Sequence, residues 1–138
     1  MSPTQSRAGF PARRSVGRVL VIDDEPAVAL GLRRALRGCA LSAAGSVDEA
    51  IALLAAGQDF DLVICDVMMP GRLGTELLGW ARREHPALLE RLVMMTGGVR
   101  DPRVRRDLEE AGVPLLSKPF EAASVLRLLD ERVRRAAA

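Results

Sequence analysis

Residues 19–26 read Val-Leu-Val-Ile-Asp-Asp-Glu-Pro, an aliphatic run that stops abruptly at three acids and a proline. An unbroken run of β-branched and aliphatic residues is typical of a strand that is buried on both faces of a parallel sheet. Proline suits the first turn of a helix, because the N–H that it lacks would have no helical partner there. This stretch therefore predicts a buried strand, an acidic turn and the start of a helix.

The same alternation of strand and helix continues along the chain. Further strands are predicted at residues 41–44, 62–65, 91–95 and 113–116. Helices are predicted from Pro26, from a capping box at Ser46 and Glu49, over a stretch that carries Leu73 and Trp80 and ends before Pro86, at residues 102–111 and at residues 121–135. Five strands that alternate with five helices favour an α/β fold with a parallel sheet covered by helices on both faces.

The composition is that of one folded domain. The 138 residues are 49% hydrophobic, which is enough to bury a core. The formal net charge of +2 lacks the strong basic excess of a nucleic-acid-binding domain. One histidine and two cysteines exclude a multi-histidine metal site and a histidine–cysteine zinc cluster. No apolar stretch reaches the length of a membrane span, so we expect a cytoplasmic protein that does not contact a membrane.

The beginning of the chain differs from the rest. Residues 1–17 contain serine, proline, glycine and three arginines but no acid, which favours a flexible arm or linker over the alternative of an organellar transit peptide. We therefore expect the folded domain to span residues 18–135 and a short tail to occupy residues 136–138.

Polar side chains of complementary chemistry follow the predicted strands at the point where each ends. Asp23 and Asp24 follow the first strand, Asp66 the third, Thr96 the fourth and Lys118, the only lysine, the fifth. The carboxyl ends of parallel strands are where ligands bind in open α/β sheets, so these groups should converge. Three carboxylates need a cation, and hard oxygen ligands favour Mg²⁺, which often shares its shell with a phosphate. The sequence therefore predicts a magnesium and phosphoryl site.

Each of these residues has a simpler interpretation when it is taken alone. Asp23, Asp24 and Asp66 are common helix or turn caps, Thr96 precedes two glycines of a turn, and Lys118 precedes a proline in an ordinary loop. Capping does not explain why all of them fall at the same ends of different strands. The joint pattern therefore favours a site.

Four segments in this order resemble the receiver domain of two-component response regulators. They are VIDDEP at residues 21–26, DVMMPG at 66–71, MTG at 95–97 and SKPF at 117–120. The resemblance covers about residues 18–133. It implies a flavodoxin-like (βα)5 three-layer sandwich with five parallel strands in the order 2-1-3-4-5 and the site at the switch point of the sheet.

The resemblance also implies a role for each acid. Asp66 matches the phosphoacceptor, whose carboxylate attacks phosphorus to give an acyl phosphate. Asp24, Asp66 and the backbone carbonyl of Met68 match the direct ligands of Mg²⁺, and Asp23 matches an acid that acts on the metal through water. Magnesium is the expected cofactor.

The remaining matches concern the switch. Lys118 matches the lysine that pairs with the acceptor at rest and with a phosphoryl oxygen afterwards, and Thr96 matches the hydroxyl that moves toward the phosphoryl group. Pro119 matches a proline that follows a cis peptide bond. Leu115 departs from the pattern, because three residues before the lysine the family usually carries tyrosine or phenylalanine.

The function implied is that of a phosphorylation-dependent switch, not of an enzyme acting on a separate substrate, although self-catalysed phosphotransfer and autodephosphorylation belong to the family. The expected phosphodonor is a histidine kinase or a histidine phosphotransfer protein. A homodimer through the fourth and fifth helices is a further expectation, whereas direct nucleic-acid binding is not expected. The arm and the run at residues 94–98 also resemble receivers fused behind a histidine kinase.

Two alternatives stay open at this point. A Mg²⁺-dependent aspartyl-phosphate phosphohydrolase would also use Asp66 as its nucleophile, but such enzymes carry an acid two residues later, where this chain has Met68. A receiver that serves only as a docking module, without phosphorylation, is the other. The acids, Thr96 and Lys118 argue against this second alternative, and Leu115 argues weakly for it.

Overall fold

The structure is a computed structural model that describes residues 17–98 and 100–137. Its five strands are β1 (Arg18–Ile22), β2 (Ala40–Ala44), β3 (Leu62–Asp66), β4 (Leu92–Thr96) and β5 (Leu115–Ser117). Its helices are α1 (Pro26–Ala35), α2 (Val47–Ala55), α3 (Thr75–Glu84), α4 (Pro102–Ala111) and α5 (Ala122–Ala137), with a short 3-10 helix at Pro86–Arg91. All neighbouring strands are parallel, in the order β2-β1-β3-β4-β5. The predicted α/β fold and strand order are confirmed.

Helices cover both faces of the sheet. The side chains of β1 alternate between the two faces: Leu20 and Ile22 pack with α2, α3 and α4, and Val19 and Val21 pack with α1 and α5. The four residues are fully buried, as expected for a central strand in which polar residues do not alternate with apolar ones. The result is a three-layer sandwich with β1 and β3 at its centre.

Local signals start and end the helices as the sequence predicts, with one change. The Ser46 hydroxyl accepts a hydrogen bond from the Glu49 N–H (3.1 Å) at the start of α2. The Glu49 carboxylate, however, accepts from the N–H of Gly45 (2.8 Å), one residue before the cap. Gly112 ends α4 with a φ of +66°, a conformation that glycine adopts without a Cβ penalty.

Two strands begin later than predicted. The predicted strand at residues 113–116 is β5, which begins only at Leu115 and extends to Ser117. Pro114 has no N–H to donate to the ladder, and only its carbonyl contributes, by accepting from Met94 (3.0 Å). The predicted start of β4 at Arg91 is also wrong, because this residue ends the 3-10 helix that Pro86 begins.

The ends of the chain are described only in part. The predicted arm lies outside the described residues except for Gly17, which is buried, and Ala138 of the predicted tail also lies outside them. Helix α5 extends two residues beyond the predicted end, to Ala137. Over the stretch that the structure describes, we find no helix with both the length and the apolar composition needed to cross a membrane.

Candidate functional site

The strand register brings the predicted site residues to one edge of the sheet. Asp66 is the last residue of β3, and Asp23 and Asp24 directly follow β1, the neighbouring strand. Thr96 ends β4 and is in register with Ser117 of β5, so the next residue, Lys118, lies at the same edge. The four strand ends therefore deliver all five side chains to the carboxyl edge of the sheet.

Three carboxylates meet there. One oxygen each of Asp23, Asp24 and Asp66 lies within 4.8 Å of the other two. Asp23 and Asp66 are each only 6% exposed, whereas Asp24 faces solvent. Such crowding of negative charge is costly without a cation, and a cluster of carboxylate oxygens fits the ligand preference of Mg²⁺. These residues could hold a divalent metal ion.

Lys118 joins two of the three acids. Its ammonium nitrogen donates to Oδ2 of Asp23 (3.1 Å) and to Oδ2 of Asp66 (3.3 Å). Its backbone N–H donates to the Thr96 carbonyl (2.7 Å), which fixes the start of the loop on β4. The peptide bond between Lys118 and Pro119 is cis, as the resemblance implies. Lys118 is thus a compact positive charge held beside the predicted acceptor.

The surroundings of Asp66 and Lys118 shift the pKa of each. Burial raises the pKa of the Asp66 carboxyl, against the Lys118 charge that lowers it, and the Asp23 charge raises it further. For Lys118, burial acts against the charged form, but the hydrogen bond to Asp23 and the charges of Asp66 and Asp23 raise its pKa overall. Lys118 therefore stays protonated, and the Asp66 carboxyl binds its proton more tightly than an ordinary aspartate does.

Asp23 also holds the turn before α1, in line with the simpler interpretation of it as a turn residue, although no side chain caps α1 itself. Its Oδ1 accepts a hydrogen bond from the N–H of Glu25 (2.9 Å), just before α1, while Oδ2 accepts from Lys118. Its own N–H donates to the Ala44 carbonyl (3.0 Å). One carboxylate thus both orders the turn after β1 and enters the acidic cluster.

Thr96 is likewise engaged in a turn. Its side chain is buried, and its hydroxyl oxygen accepts a hydrogen bond from the N–H of Gly98 (2.9 Å). The hydroxyl proton stays available for another acceptor. Leu115, at the position where the family usually has an aromatic residue, is 49% exposed on β5.

The segment after Asp66 forms a loop whose first and last residues, Val67 and Gly74, are joined by a backbone hydrogen bond. The Val67 N–H donates to the Met95 carbonyl (3.0 Å), and the Gly74 N–H donates to the Val67 carbonyl (2.8 Å). The Met68 N–H donates to Oδ1 of Asp66 (3.3 Å), while the Met68 side chain is 51% exposed. Position 68 therefore presents no acid to the site, which argues against the phosphohydrolase alternative.

Sequence reasoning missed four residues around this loop. Arg72 pairs with Glu76 of α3 (3.2 Å) and with Asp48 of α2. The spacing of Arg72 and Glu76 is a signal for an (i, i+4) pair, but nothing in the sequence indicates Asp48. Gly74 lies so close to Asp66 that a Cβ there would collide with the Asp66 backbone oxygen.

Comparison with known proteins gives relatives over most of the chain. It is 37% identical over 128 residues to the probable transcriptional regulatory protein TcrX of Mycobacterium tuberculosis, a match that covers 89% of this chain and 53% of TcrX. It is 32% identical over 120 residues to the sensor kinase CckA of Brucella abortus, with 85% of this chain and 12% of the kinase covered. The chain thus spans about half the length of TcrX and a small part of the length of CckA.

A solved structure gives the same result. The signal receiver domain of a signal transduction histidine kinase from Syntrophus aciditrophicus superposes with a TM-score of 0.72 at 28% identity, covering 86% of this chain and 93% of that domain. The family model described as the response regulator receiver domain matches residues 19–130, from β1 into α5. The chain therefore belongs to the response regulator receiver domain family of two-component signalling.

Proposed function

We propose that this chain accepts a phosphoryl group on Asp66 from a phosphohistidine of a histidine kinase or a histidine phosphotransfer protein. The observation that carries the proposal is the meeting of three carboxylates within 4.8 Å beside a lysine that bonds two of them. A nucleophile, a metal-binding set of oxygens and a fixed positive charge are the parts that phosphoryl transfer needs.

The metal in this proposal is Mg²⁺. Asp24, Asp66 and the backbone carbonyl of Met68 would hold it directly, and Asp23 would act through a bound water. When bound, the ion neutralises charge on the phosphoryl oxygens and on the crowded acids. The donor set supports this choice, because it consists of hard oxygens only and Asp24 leaves an open, solvent-facing side.

The chemical step uses Asp66 as a nucleophile. One of its carboxylate oxygens forms a bond to phosphorus while the phosphorus–nitrogen bond of the donor breaks. The imidazole nitrogen leaves with the electron pair, and an acyl phosphate remains on Asp66. Lys118 then transfers its hydrogen bond from the carboxylate to a phosphoryl oxygen, and the Thr96 hydroxyl donates to another. Hydrolysis of the acyl phosphate by water resets the chain.

The output in this proposal is a contact with a partner in the cytoplasm. Movement of Thr96 toward the phosphoryl group displaces the turn at Gly98 and with it α4, whose outer face carries Arg103, Arg106 and Glu110. A second copy of the chain is one partner of this surface, through α4 and α5. Leu115 occupies the position where the family usually has tyrosine or phenylalanine. No aromatic side chain can therefore turn inward there, and in this proposal the signal passes through α4.

Phosphorylation can be tested with Mg²⁺ and acetyl phosphate, followed by intact-mass measurement. We expect one added phosphoryl group on the unaltered chain, none after chelation of the metal and none in Asp66→Asn. Asp107→Asn, which removes an exposed carboxylate on α4, is the matched control and should be phosphorylated normally.

Two results would overturn this proposal. One is an absence of added phosphate on the unaltered chain, or its retention in Asp66→Asn. The other is multiple-turnover release of phosphate from unrelated phosphate esters, which would establish the phosphohydrolase instead.

A further inference from the structure

A cluster of three charged side chains holds the loop that follows Asp66. It consists of Asp48 in the first turn of α2, Arg72 in the loop and Glu76 in the first turn of α3, and we refer to it as the Arg72 cluster. Arg72 Nε donates to Oε1 of Glu76 (3.2 Å), and its NH1 donates to Oδ1 of Asp48. The proposed phosphoryl chemistry uses none of the three.

The cluster acts on the backbone as well as on side chains. The second carboxylate oxygen of Glu76 accepts a hydrogen bond from the N–H of Leu73 (2.9 Å), beside the arginine that its first oxygen binds. Glu76 therefore fixes two consecutive loop residues to the start of α3. Arg72 adds the connection to α2, which lies on the same face of the sheet.

The middle of the loop has fewer restraints than its ends. Both ends of the loop are tied by backbone hydrogen bonds, at Val67 and Gly74, and Met69 is buried in the core. Between them, Pro70 and Gly71 are exposed, and Gly71 has a φ of +88°. Arg72 is the next residue, so its ion pairs restrain the exposed middle of the loop, which begins two residues after Met68.

We propose that Arg72 is a positioning residue, which holds the Met68 carbonyl and the Asp66 carboxylate in the geometry needed for metal binding and phosphoryl acceptance. This inference rests on the proposed function. A single exposed ion pair contributes little, but the planar guanidinium binds two carboxylates on two helices and so restrains direction as well as distance. Replacement by an uncharged residue of similar length should loosen the loop and leave the core packing unchanged.

The first test measures the loop directly in the metal-free protein. Arg72→Gln should increase the amide hydrogen-exchange rates of Met68 and Gly74 by about three- to ten-fold, measured by NMR, because two exposed ion pairs are lost. The matched control is Arg134→Gln, which removes an (i, i+4) pair of 3.0 Å with Asp130 on α5, on the opposite face of the sheet. The control should leave both rates unchanged.

The second test measures the metal and the chemistry separately. In Arg72→Gln the dissociation constant for Mg²⁺, measured by calorimetry, should rise by about three- to ten-fold, and phosphorylation by acetyl phosphate should slow at saturating Mg²⁺. Asp48→Asn should show part of the same loss. Combining Asp48→Asn with Arg72→Gln should add nothing to Arg72→Gln alone, because Arg72→Gln already removes the contact that Asp48→Asn breaks.

The outcomes separate this inference from the proposed function. Failure of the unaltered chain to be phosphorylated overturns the proposed function, whatever Arg72 does. An unaltered chain that is phosphorylated, together with unchanged amide exchange and Mg²⁺ affinity in Arg72→Gln, overturns the positioning role alone. A double variant whose loss is the product of the two single losses also overturns it. If Arg72→Gln does not fold, the same measurements on Asp48→Asn decide, because this variant keeps the Arg72–Glu76 pair.

Discussion

At Asp66, burial and charge act in opposite directions on the same carboxyl. The side chain is nearly buried and lies within 4.8 Å of two other carboxylates, while Lys118 donates to one of its oxygens. Two like charges about 5 Å apart repel by about 3 kcal/mol at an effective dielectric constant of about 20. The Lys118 charge, 3.3 Å from Asp66, opposes this repulsion, but burial of the carboxyl still raises the pKa of Asp66 overall. The arrangement that prepares the site for a cation therefore destabilises the metal-free domain.

Asp66→Asn should therefore stabilise the metal-free protein at neutral pH. We expect a gain of about 1 kcal/mol, or about 3 °C in Tm for a domain of this size. Burial raises the pKa of Asp66 in the folded state, so the folded chain binds this proton more tightly than the unfolded chain does. The free energy of unfolding contributed by Asp66 consequently falls as the pH rises from about 4 through the raised folded pKa.

The measurement is the difference in Tm between Asp66→Asn and the unaltered chain at pH 4 and at pH 7, with a chelator present. The difference should be smaller at the lower pH, which is close to the pKa of an unfolded aspartate, and clearly positive at the higher one. Asp107→Asn, which removes an exposed carboxylate on α4, is the matched control and should change Tm little. A variant less stable than the unaltered chain at pH 7 would contradict the inference that burial of the Asp66 charge destabilises the metal-free domain.

At the scale of elements, the contact between the start of α3 and the end of β3 determines where the loop can lie. Gly74 has helical dihedral angles, with φ −58° and ψ −28°, so any residue could adopt its backbone conformation. A Cβ at this position would nevertheless collide with the Asp66 carbonyl oxygen and lie 3.0 Å from the Val67 Cα. Glycine is therefore required at this position for reasons of space, directly behind Asp66.

Gly74→Ala should lower the free energy of unfolding by about 1–3 kcal/mol, the usual cost of overpacking against backbone. Gly79→Ala on the same helix is the matched control, because its Cβ would meet only the end of the Arg83 side chain at 3.4 Å. Replacing that helical glycine should instead stabilise the domain by about 0.5–1 kcal/mol. Urea unfolding of both variants measures the two changes in the free energy of unfolding. If both substitutions change it in the same direction, the argument that Gly74 is required for reasons of space is refuted.

At the scale of the whole molecule, the site depends on strand order. Its acids come from β1 and β3, its hydroxyl from β4 and its lysine from the end of β5, so no single supersecondary unit contains it. The residues involved are up to 95 positions apart in the chain. An ion held by this set binds the folded chain only, and its binding free energy adds to the stability of the whole domain.

Saturating Mg²⁺ should therefore raise Tm. At a concentration 100 times its Kd, the gain in unfolding free energy is about 2.7 kcal/mol, and a chelator should remove it completely. Asp24→Asn should abolish the gain, because it removes an exposed carboxylate that is a proposed ligand, without disturbing the core. Thermal melts with and without Mg²⁺ measure the effect, with Asp107→Asn as a control that keeps it. A full gain in Asp24→Asn would remove that residue from the ligand set.

Much of this fold could be predicted from local pattern, and particular residues show where the pattern fails. The aliphatic runs of β1 and β3 are buried on both faces, so their sequence alone distinguishes them from half-exposed strands. β5 is an edge strand of three residues, and its limits depend on pairing with Met94 to Thr96 rather than on its own composition. Arg91 directly precedes residues that are typical of a strand, but it belongs to the 3-10 helix that begins at Pro86.

The sequence by itself determined which chemical groups stand at the ends of the strands, because strand and turn propensities act over a few neighbouring residues. Only the tertiary structure decided that Lys118 bonds Asp23 as well as Asp66, that the Thr96 hydroxyl accepts from Gly98, and that Asp48 binds Arg72. Such contacts depend on the packing of helices and the twist of the sheet, which set distances between distant residues. A linear pattern of residue types carries no measure of those distances.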